Sequence, residues 1–522
     1  MLVPSTSQGL HSSTFVQPPL DSSLSFPALF DWQAEHSSNH PLFVFEDAPG
    51  LERTILWAEA VQGIHRATQF VRKAVGKSIE SSIIEGKPPV IAVLATSDTI
   101  SFFSFVIGVI RMGWTVFPIS PRNSPLAVAA LLSQTKATHL FVSIESIIQT
   151  LADAALKQAD TGSCLKTYRM PVFEDLFPTE GYDPSFEPVP LVEVDEAACP
   201  IILHSSGTTA FPKPIYFTYK TLVRNASFPC FGEIDYAGNV FACHAIPMFH
   251  SMSMLLITFP VSTGLLVATF KPHSPAVVPN TVNAFESAMV ARCDYIFVSP
   301  AFAESWSRDS GYVDALAKTK GLIYGGGPLS KAVGDYLVSN GVNVQMIYAL
   351  TQAVTVNVFP KVPLGMDWEY FRLSPIREAH FKLYGNNEYE LVILATEHFR
   401  PNVINAVVNG QEAFATGDIV SPHPTKEGYW KVIGRTDDQI MHSTGEKTNP
   451  GPLEAMLNQD AIVQGAMMFG RSRFHCGILV QPKEPFAFDP VDTKKVIEFR
   501  NLIWPTIEKM NAYAPTYSRI FK

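Results

Sequence analysis

Hydrophobic and polar positions along this chain follow two different periods. Short unbroken apolar runs read as strands buried on both faces, the clearest being Val90-Ile91-Ala92-Val93-Leu94, Thr115-Val116-Phe117-Pro118-Ile119 and Ile201-Ile202-Leu203. Between the first two lies a longer apolar-rich stretch that predicts a helix from Phe102 to Met112. The strand–helix–strand rhythm implies parallel sheets with helices packed on them, and further such units run from Phe241 to about Phe359. From Phe381 to Ile433 the pattern shortens to alternation, as in Tyr389-Glu390-Leu391-Val392-Ile393-Leu394, which predicts a β-rich part. Residues 1–24, rich in Ser, Pro and Gln without apolar periodicity, read as a mobile tail. The segment from Phe177 to Pro200, with its prolines and acids, reads as an exposed linker. No internal repeat or coiled-coil heptad is present.

Composition narrows the class. A chain of 522 residues is too long for one compact core, and 47% hydrophobic with 17% charged residues excludes a disordered protein. The formal net charge of −9 argues against nucleic acid or anionic membrane surfaces as partners. An anionic small molecule would then need local positive charge, which Lys213 and Arg435 can supply. The six cysteines show no CxxC spacing and read as reduced thiols of a cytoplasmic enzyme. The first residues show no basic region followed by an apolar run, so no secretory leader is expected, and the two most apolar stretches, Phe102 to Ile119 and Met254 to Phe270, are interrupted by Arg111 and by Pro260 with Gly264. Buried elements of a large α/β core, with no membrane span, are expected.

The stretch carrying most chemistry is Leu203-His204-Ser205-Ser206-Gly207-Thr208-Thr209-Ala210-Phe211-Pro212-Lys213-Pro214. A buried strand ends in small hydroxyl and glycine residues, and a lysine follows four positions after the last threonine. Glycine lets backbone approach closely, N–H groups and hydroxyls donate to phosphate oxygens, and the lysine adds a point charge, so such a loop can wrap polyphosphate. It is not the G-x-x-x-x-G-K-[ST] loop, because here the lysine comes after the hydroxyls.

Further motifs follow in order: Ile246-Pro247-Met248-Phe249-His250, Tyr324-Gly325-Gly326-Gly327-Pro328-Leu329, Tyr348-Ala349-Leu350-Thr351-Gln352, Thr416-Gly417-Asp418, Gly434-Arg435-Thr436-Asp437-Asp438-Gln439-Ile440 and His442-Ser443-Thr444-Gly445-Glu446-Lys447. Together with the phosphate-type loop, their order and spacing resemble the adenylate-forming (AMP-binding) superfamily over about residues 90 to 455. The last block is similar to the corresponding loop of fungal adenylate-forming reductases and their nonribosomal-peptide-synthetase-like relatives.

The resemblance implies attack of a carboxylate on the α-phosphorus of ATP, giving an acyl-adenylate and pyrophosphate. It implies ATP and Mg2+ as cofactors and a phosphopantetheine thiol, on a carrier domain in cis or in trans or on CoA, as acyl acceptor. Ser205, Ser206, Thr208, Thr209 and Lys213 would hold phosphates, and Tyr348 would stack on adenine beside Ala349. Thr351 would contact the α-phosphate, Asp418 would accept both ribose hydroxyls, and Arg435 would bind ribose or phosphate oxygens, with Val432 nearby. The Gly325 and Gly326 turn would allow close approach to the nucleotide. Gln352 stands where relatives usually carry a magnesium-binding glutamate, and Ala349 where they carry glycine. His250 would approach the substrate carboxylate, with Phe297, Val298, Ser299 and Gly325 as further pocket walls. No acid follows His250 to pair with an α-ammonium, so a carboxylic acid lacking an α-amine, aryl or aliphatic, is expected.

The same resemblance places a hinge at Asp437 and lets Gly445 admit the thiol. It divides the chain into a tail (1–24), an N-terminal core (25–436) and a C-terminal subdomain (437–522) expected to stop before the family's terminal lysine motif. The expected fold class is α/β: a large domain of parallel-rich sheets with packed helices plus a β-rich subdomain, then a small, incomplete α+β subdomain. Two alternatives stay open, a free-standing acyl- or aryl-CoA ligase and a catalytically impaired nucleotide-binding regulatory protein.

Overall fold

The computed structural model describes residues 4–76, 88–159, 165–178, 181–205, 212–385, 387–442, 447–471 and 473–522. Its apolar runs form two six- and seven-stranded sheets, parallel except at one edge each. The first has the order Lys166–Arg169, His139–Val142, Val90–Leu94, Thr115–Ile119, Ile201–His204, Pro214–Phe217, and only the last pair is antiparallel. The second has the order Val344–Met346, Gly321–Tyr324, Tyr295–Val298, Val240–Ala242, Leu266–Ala268, Pro41–Ala48, Leu51–Leu56, again with only the last pair antiparallel. The unbroken apolar strands are explained by this arrangement, because helices cover both faces of a parallel sheet.

One core cluster joins the two sheets through the helices Trp57–Val75, Thr99–Arg111 and Ser253–Thr263. The first two of these approach so closely that a Cβ on Gly108 would lie 3.0 Å from Ile64 O and Thr68 N. Thr68 Oγ1 donates to Gly108 O across the crossing at 3.1 Å. Helix Thr99–Arg111 begins three residues before the apolar pattern because Asp98 caps it, accepting from Ser101 N at 2.8 Å. Arg111, which interrupts the apolar stretch, is buried and paired with Asp31 at 2.6 Å, and it donates to Val189 O at 2.8 Å. Among the described residues no helix is long and apolar enough to cross a membrane.

The alternating segment forms a third, antiparallel sheet in the order Phe371–Arg372, Tyr429–Arg435, Gln411–Pro422, Glu388–Leu394, Ala379–Gly385, with Ala406–Val408 paired to Gln411–Pro422. The last part of the chain is a small α+β unit with its own core. Helices Pro450–Asn458 and Thr493–Tyr513 pack Leu453, Leu457, Ile503, Ile507 and Met510 against the hairpin Val463–Phe469 and Gly477–Pro482. The α/β class and the additional β-rich part expected from the pattern are both present.

Residues 4–24, expected to be mobile, form no helix or strand but are packed. Phe15 is buried against Gly264, whose missing side chain leaves the space: a Cβ there would sit 2.4 Å from the ring. Thr6 N donates to Cys230 O at 2.9 Å and Gln8 Nε2 to Ile234 O at 3.0 Å. Of the expected exposed linker from Phe177 to Pro200, the described residues 177–178 and 181–200 likewise lack helix and strand. The Gln62 side chain holds both the N–H and the carbonyl of Asp183, at 3.0 and 2.6 Å.

Candidate functional site

The candidate site lies where the carboxyl ends of the parallel strands meet the antiparallel sheet, the usual place for ligands in α/β folds. Its base is a cross-strand register. Asp418 and Arg435 face each other on neighbouring antiparallel strands, so their separation in sequence becomes direct contact. Arg435 Nη1 donates to Asp418 Oδ1 at 2.7 Å and the Tyr348 hydroxyl donates to Asp418 Oδ2 at 2.6 Å. Arg435 then forks onto Asp437, through Nε at 2.8 Å and Nη2 at 3.1 Å. Gly417, at φ +75°, makes room, since a Cβ there would lie 3.0 Å from Arg435 Nη2.

Burial raises the Asp418 carboxyl above its ordinary value, opposed by the Tyr348 hydroxyl and by Arg435. The same environment pushes the Tyr348 hydroxyl well up, burial first and Asp418 second. Arg435 holds the Asp437 carboxyl below its usual range. The expected hinge residue is thus bonded to the side chain that grips the expected ribose-binding aspartate. Two further groups lace this segment: Arg471 Nη2 donates to Asp437 O at 3.2 Å and to Gln439 O at 3.0 Å, and Gln439 Nε2 donates to Arg435 O at 3.0 Å.

The motif around Thr351 forms a tight hairpin in which Ala349 faces Thr355 and Leu350 faces Val354. Val354 sits at φ +50°, a costly conformation for a β-branched residue, so the turn is held by its surroundings. Asn402 is one holder: its N–H donates to Gln352 O at 2.7 Å and its Nδ2 to Thr351 O at 3.3 Å. The Thr351 hydroxyl donates to Ser251 Oγ at 3.0 Å, which brings this turn against His250. His250 accepts at Nδ1 from Met252 N at 3.2 Å, so the neutral ring carries its proton on Nε2. Burial, then His204 and Arg122, lower the His250 pKa and favour that neutral form.

Gly325 lets the Ile347 side chain pack directly on its backbone, because a Cβ would lie 2.4 Å from Ile347 Cγ2. Gly326 follows at φ +83°. Of the expected pocket walls, Phe297 joins the core cluster between the two large sheets, whereas Val298 joins a second cluster on the other face of its sheet. The structure therefore does not bring those two together. Ser299 is the N-cap residue before helix Pro300–Trp306. Val432 is exposed on the strand that carries Arg435. The mouth of the phosphate-type loop is closed by Ser205 N donating to Lys213 O at 3.0 Å and Lys213 N donating to Ser205 Oγ at 3.1 Å. Lys213 is exposed. Ser206, Thr208, Thr209 and Gly445 lie outside the described residues. The Tyr348 ring, expected against adenine, packs at 4.9 Å from the Phe371 ring.

Ser251, Asn402 and Arg471 are absent from the sequence-based site. Ser251 follows His250 directly and could have been suspected, whereas nothing local marks Asn402 or Arg471. Among the described residues no group of three or more His, Cys, Asp or Glu is arranged to hold a metal ion.

A chain with these sheets, a buried aspartate paired with an arginine at this register and a hydroxyl-rich strand-to-strand loop belongs to the AMP-binding enzyme family, the adenylate-forming enzymes. The family model for AMP-binding enzymes matches residues 30–384, and the model for the AMP-binding enzyme C-terminal domain matches residues 437–522. Within the family the chain is 45% identical over 99% of its length to the adenylate-forming reductase Nps10 of Heterobasidion annosum, of which it covers 48%. It is 35% identical over 100% of its length to the adenylate-forming reductase Nps11 of Serpula lacrymans, again covering 48%. The chain thus spans about half the length of the curated relatives it matches. A benzoate CoA ligase from Burkholderia xenovorans shares the fold, with a TM-score of 0.68 at 16% identity over 95% of each chain.

Proposed function

We propose that this chain activates a carboxylic acid with ATP, forming an acyl-adenylate and releasing pyrophosphate, and passes the acyl group to a phosphopantetheine thiol. The observation that carries the reading is the Tyr348–Asp418–Arg435–Asp437 chain of hydrogen bonds. A buried carboxylate with a guanidinium partner is a ready acceptor for a ribose diol. The relatives' names support the adenylate-forming step.

In the proposed reaction a carboxylate oxygen bonds to the α-phosphorus while the bond to pyrophosphate breaks. Positioning and charge neutralisation do most of the work. The His250 Nε2–H would donate to the carboxylate, and the Thr351 hydroxyl, which donates to Ser251 Oγ next to His250, would lie at the α-phosphate. Ser205, with Ser206, Thr208 and Thr209, would hold the outer phosphates, and Lys213 would neutralise them. Asp418 would fix the ribose, Arg435 would contact it, and Tyr348 with Ala349 would frame the base. Gln352 is the residue that would hold magnesium, which when bound with the triphosphate neutralises phosphate charge. A neutral amide fits that role less strongly than a carboxylate. The thiol would enter past Gly445 after rotation about Asp437.

His250 to Leu256 contains no acid, so an acid without an α-amine, aryl or aliphatic, is the proposed substrate. The carrier would be a domain of the same or another chain. A free-standing CoA ligase is the second reading, favoured by the fold shared with a benzoate CoA ligase over 95% of both chains. Thiol selection separates them. Incubation with ATP and an activated acid should load a phosphopantetheinylated carrier, detected by intact-protein mass. AMP release that depends on free CoA alone would favour the second reading.

A further inference from the structure

We propose that His204 is a positioning residue for nucleotide binding, setting the base of the phosphate loop through both of its ring nitrogens. This rests on the reading of the Ser205-to-Lys213 loop as the one that holds phosphates. His204 ends strand Ile201–His204 and faces Pro214 on the antiparallel neighbour. Proline has no N–H and donates no ladder bond at that position, so the loop mouth relies on the Ser205 N–Lys213 O bond and on side chains. Ser205 pairs with Lys213 from one side. The His204 ring works from the other: its Nε2 accepts from Ser120 N at 3.0 Å, and its Nδ1 lies 3.0 Å from Ser205 O.

Those two contacts assign the tautomer. An imidazole that accepts at Nε2 must carry its proton on Nδ1, which then donates to the Ser205 carbonyl. Ser120 begins the loop after strand Thr115–Ile119, and its carbonyl and hydroxyl accept from Asn123 N at 3.2 Å and Arg122 N at 3.3 Å. One ring therefore ties together the loops leaving two neighbouring strands, Thr115–Ile119 and Ile201–His204, on the edge where ligands of such sheets bind. The Phe117 ring stands edge-on to it, 6.4 Å between centroids at 83°. A histidine serving only to fill space would not need both nitrogens engaged with two loop backbones.

The test is ATP–pyrophosphate exchange with three variants. His204→Ala loses both contacts and should raise the KM for ATP roughly tenfold, with the KM for the acid unchanged. The amide nitrogen of His204→Asn can replace the Nδ1 donor, and the amide oxygen of His204→Gln can replace the Nε2 acceptor. Each should recover about threefold of that loss. A KM for ATP within about twofold of wild type in His204→Ala, or equal losses in all three variants, would overturn the proposal. Should His204→Ala not fold, the Asn and Gln variants are compared with wild type by calorimetric titration of ATP, and equal affinity in all three overturns it. A wild-type chain that binds no ATP overturns the phosphate-loop reading itself, whereas ATP bound equally by wild type and His204→Ala overturns only the role of His204.

Discussion

Replacing Asp418 with alanine isolates the residue on which the nucleotide site is built. In the structure its two oxygens accept from the Tyr348 hydroxyl at 2.6 Å and from Arg435 at 2.7 Å. Alanine leaves the buried tyrosine hydroxyl without that acceptor, at a cost of about 1–3 kcal/mol in stability, while Arg435 keeps Asp437. If Asp418 also accepts the two ribose hydroxyls, the nucleotide loses two charge-assisted hydrogen bonds of about 1.5–3 kcal/mol each. Together these predict an ATP dissociation constant raised on the order of 10²- to 10⁴-fold. Calorimetric titration measures it, with a thermal melt to show that the variant is folded. Tyr348→Phe is the contrast: it removes a donor but leaves the carboxylate, so it should lower the melting temperature while weakening ATP less than about tenfold. Burial raises the Asp418 pKa, so acid removes the ionised acceptor, and ATP affinity should fall at a pH above the ordinary aspartate range. A folded Asp418→Ala protein with ATP affinity within about threefold of wild type would refute the ribose assignment.

Three further outcomes follow from particular contacts. Gln352→Glu should lower the Mg2+ concentration needed for half-maximal exchange, because it adds a charged oxygen ligand; an identical Mg2+ titration would place that side chain away from the metal. Gly334→Ala should destabilise the chain by about 1–3 kcal/mol despite better helix propensity, since the added Cβ would meet Trp368 Cζ2 at 2.1 Å; an unchanged melting temperature would contradict this packing. Burial, aided at His65 by Arg111 and at His139 by Lys166, lowers the pKa of His65 to about 3 and of His139 and His244 to about 4. The unfolded chain protonates them near the ordinary value of about 6.5, so it binds protons first as the pH falls. Their contribution to stability is therefore full above that value and declines below it. The melting temperature should drop between about pH 6.5 and 4.5, more shallowly in His244→Phe, and a flat profile would show that these rings are protonated when folded.

Much of the fold was legible because its signals are local. Val90–Leu94 and Thr115–Ile119 form strands with the bounds that their apolar runs predict. The helix between them starts earlier than its apolar pattern because Asp98, a polar cap, sets its first turn. The contact between Asp418 and Arg435 was accessible as a spacing, since a hairpin converts separation in sequence into register. Phe15 was not legible: a lone aromatic among serines and prolines gives no period, and its partner Gly264 is distant in sequence. Asn402 and His204 were missed for a related reason. Each acts by hydrogen bonds to backbone of another segment, and a backbone donor or acceptor leaves no trace in residue type. Val298 shows the converse, since two adjacent strand residues cannot both face one pocket.

The central claim is that this chain makes an acyl-adenylate, and carboxylate-dependent ATP–pyrophosphate exchange tests it most directly. It should be run across benzoic, cinnamic, short and long aliphatic and α-amino acids. The account predicts exchange with one class of acid lacking an α-amine, and none with α-amino acids. Silence across the whole panel, from a protein that binds ATP, would contradict it and leave a nucleotide-binding regulatory protein as the better description.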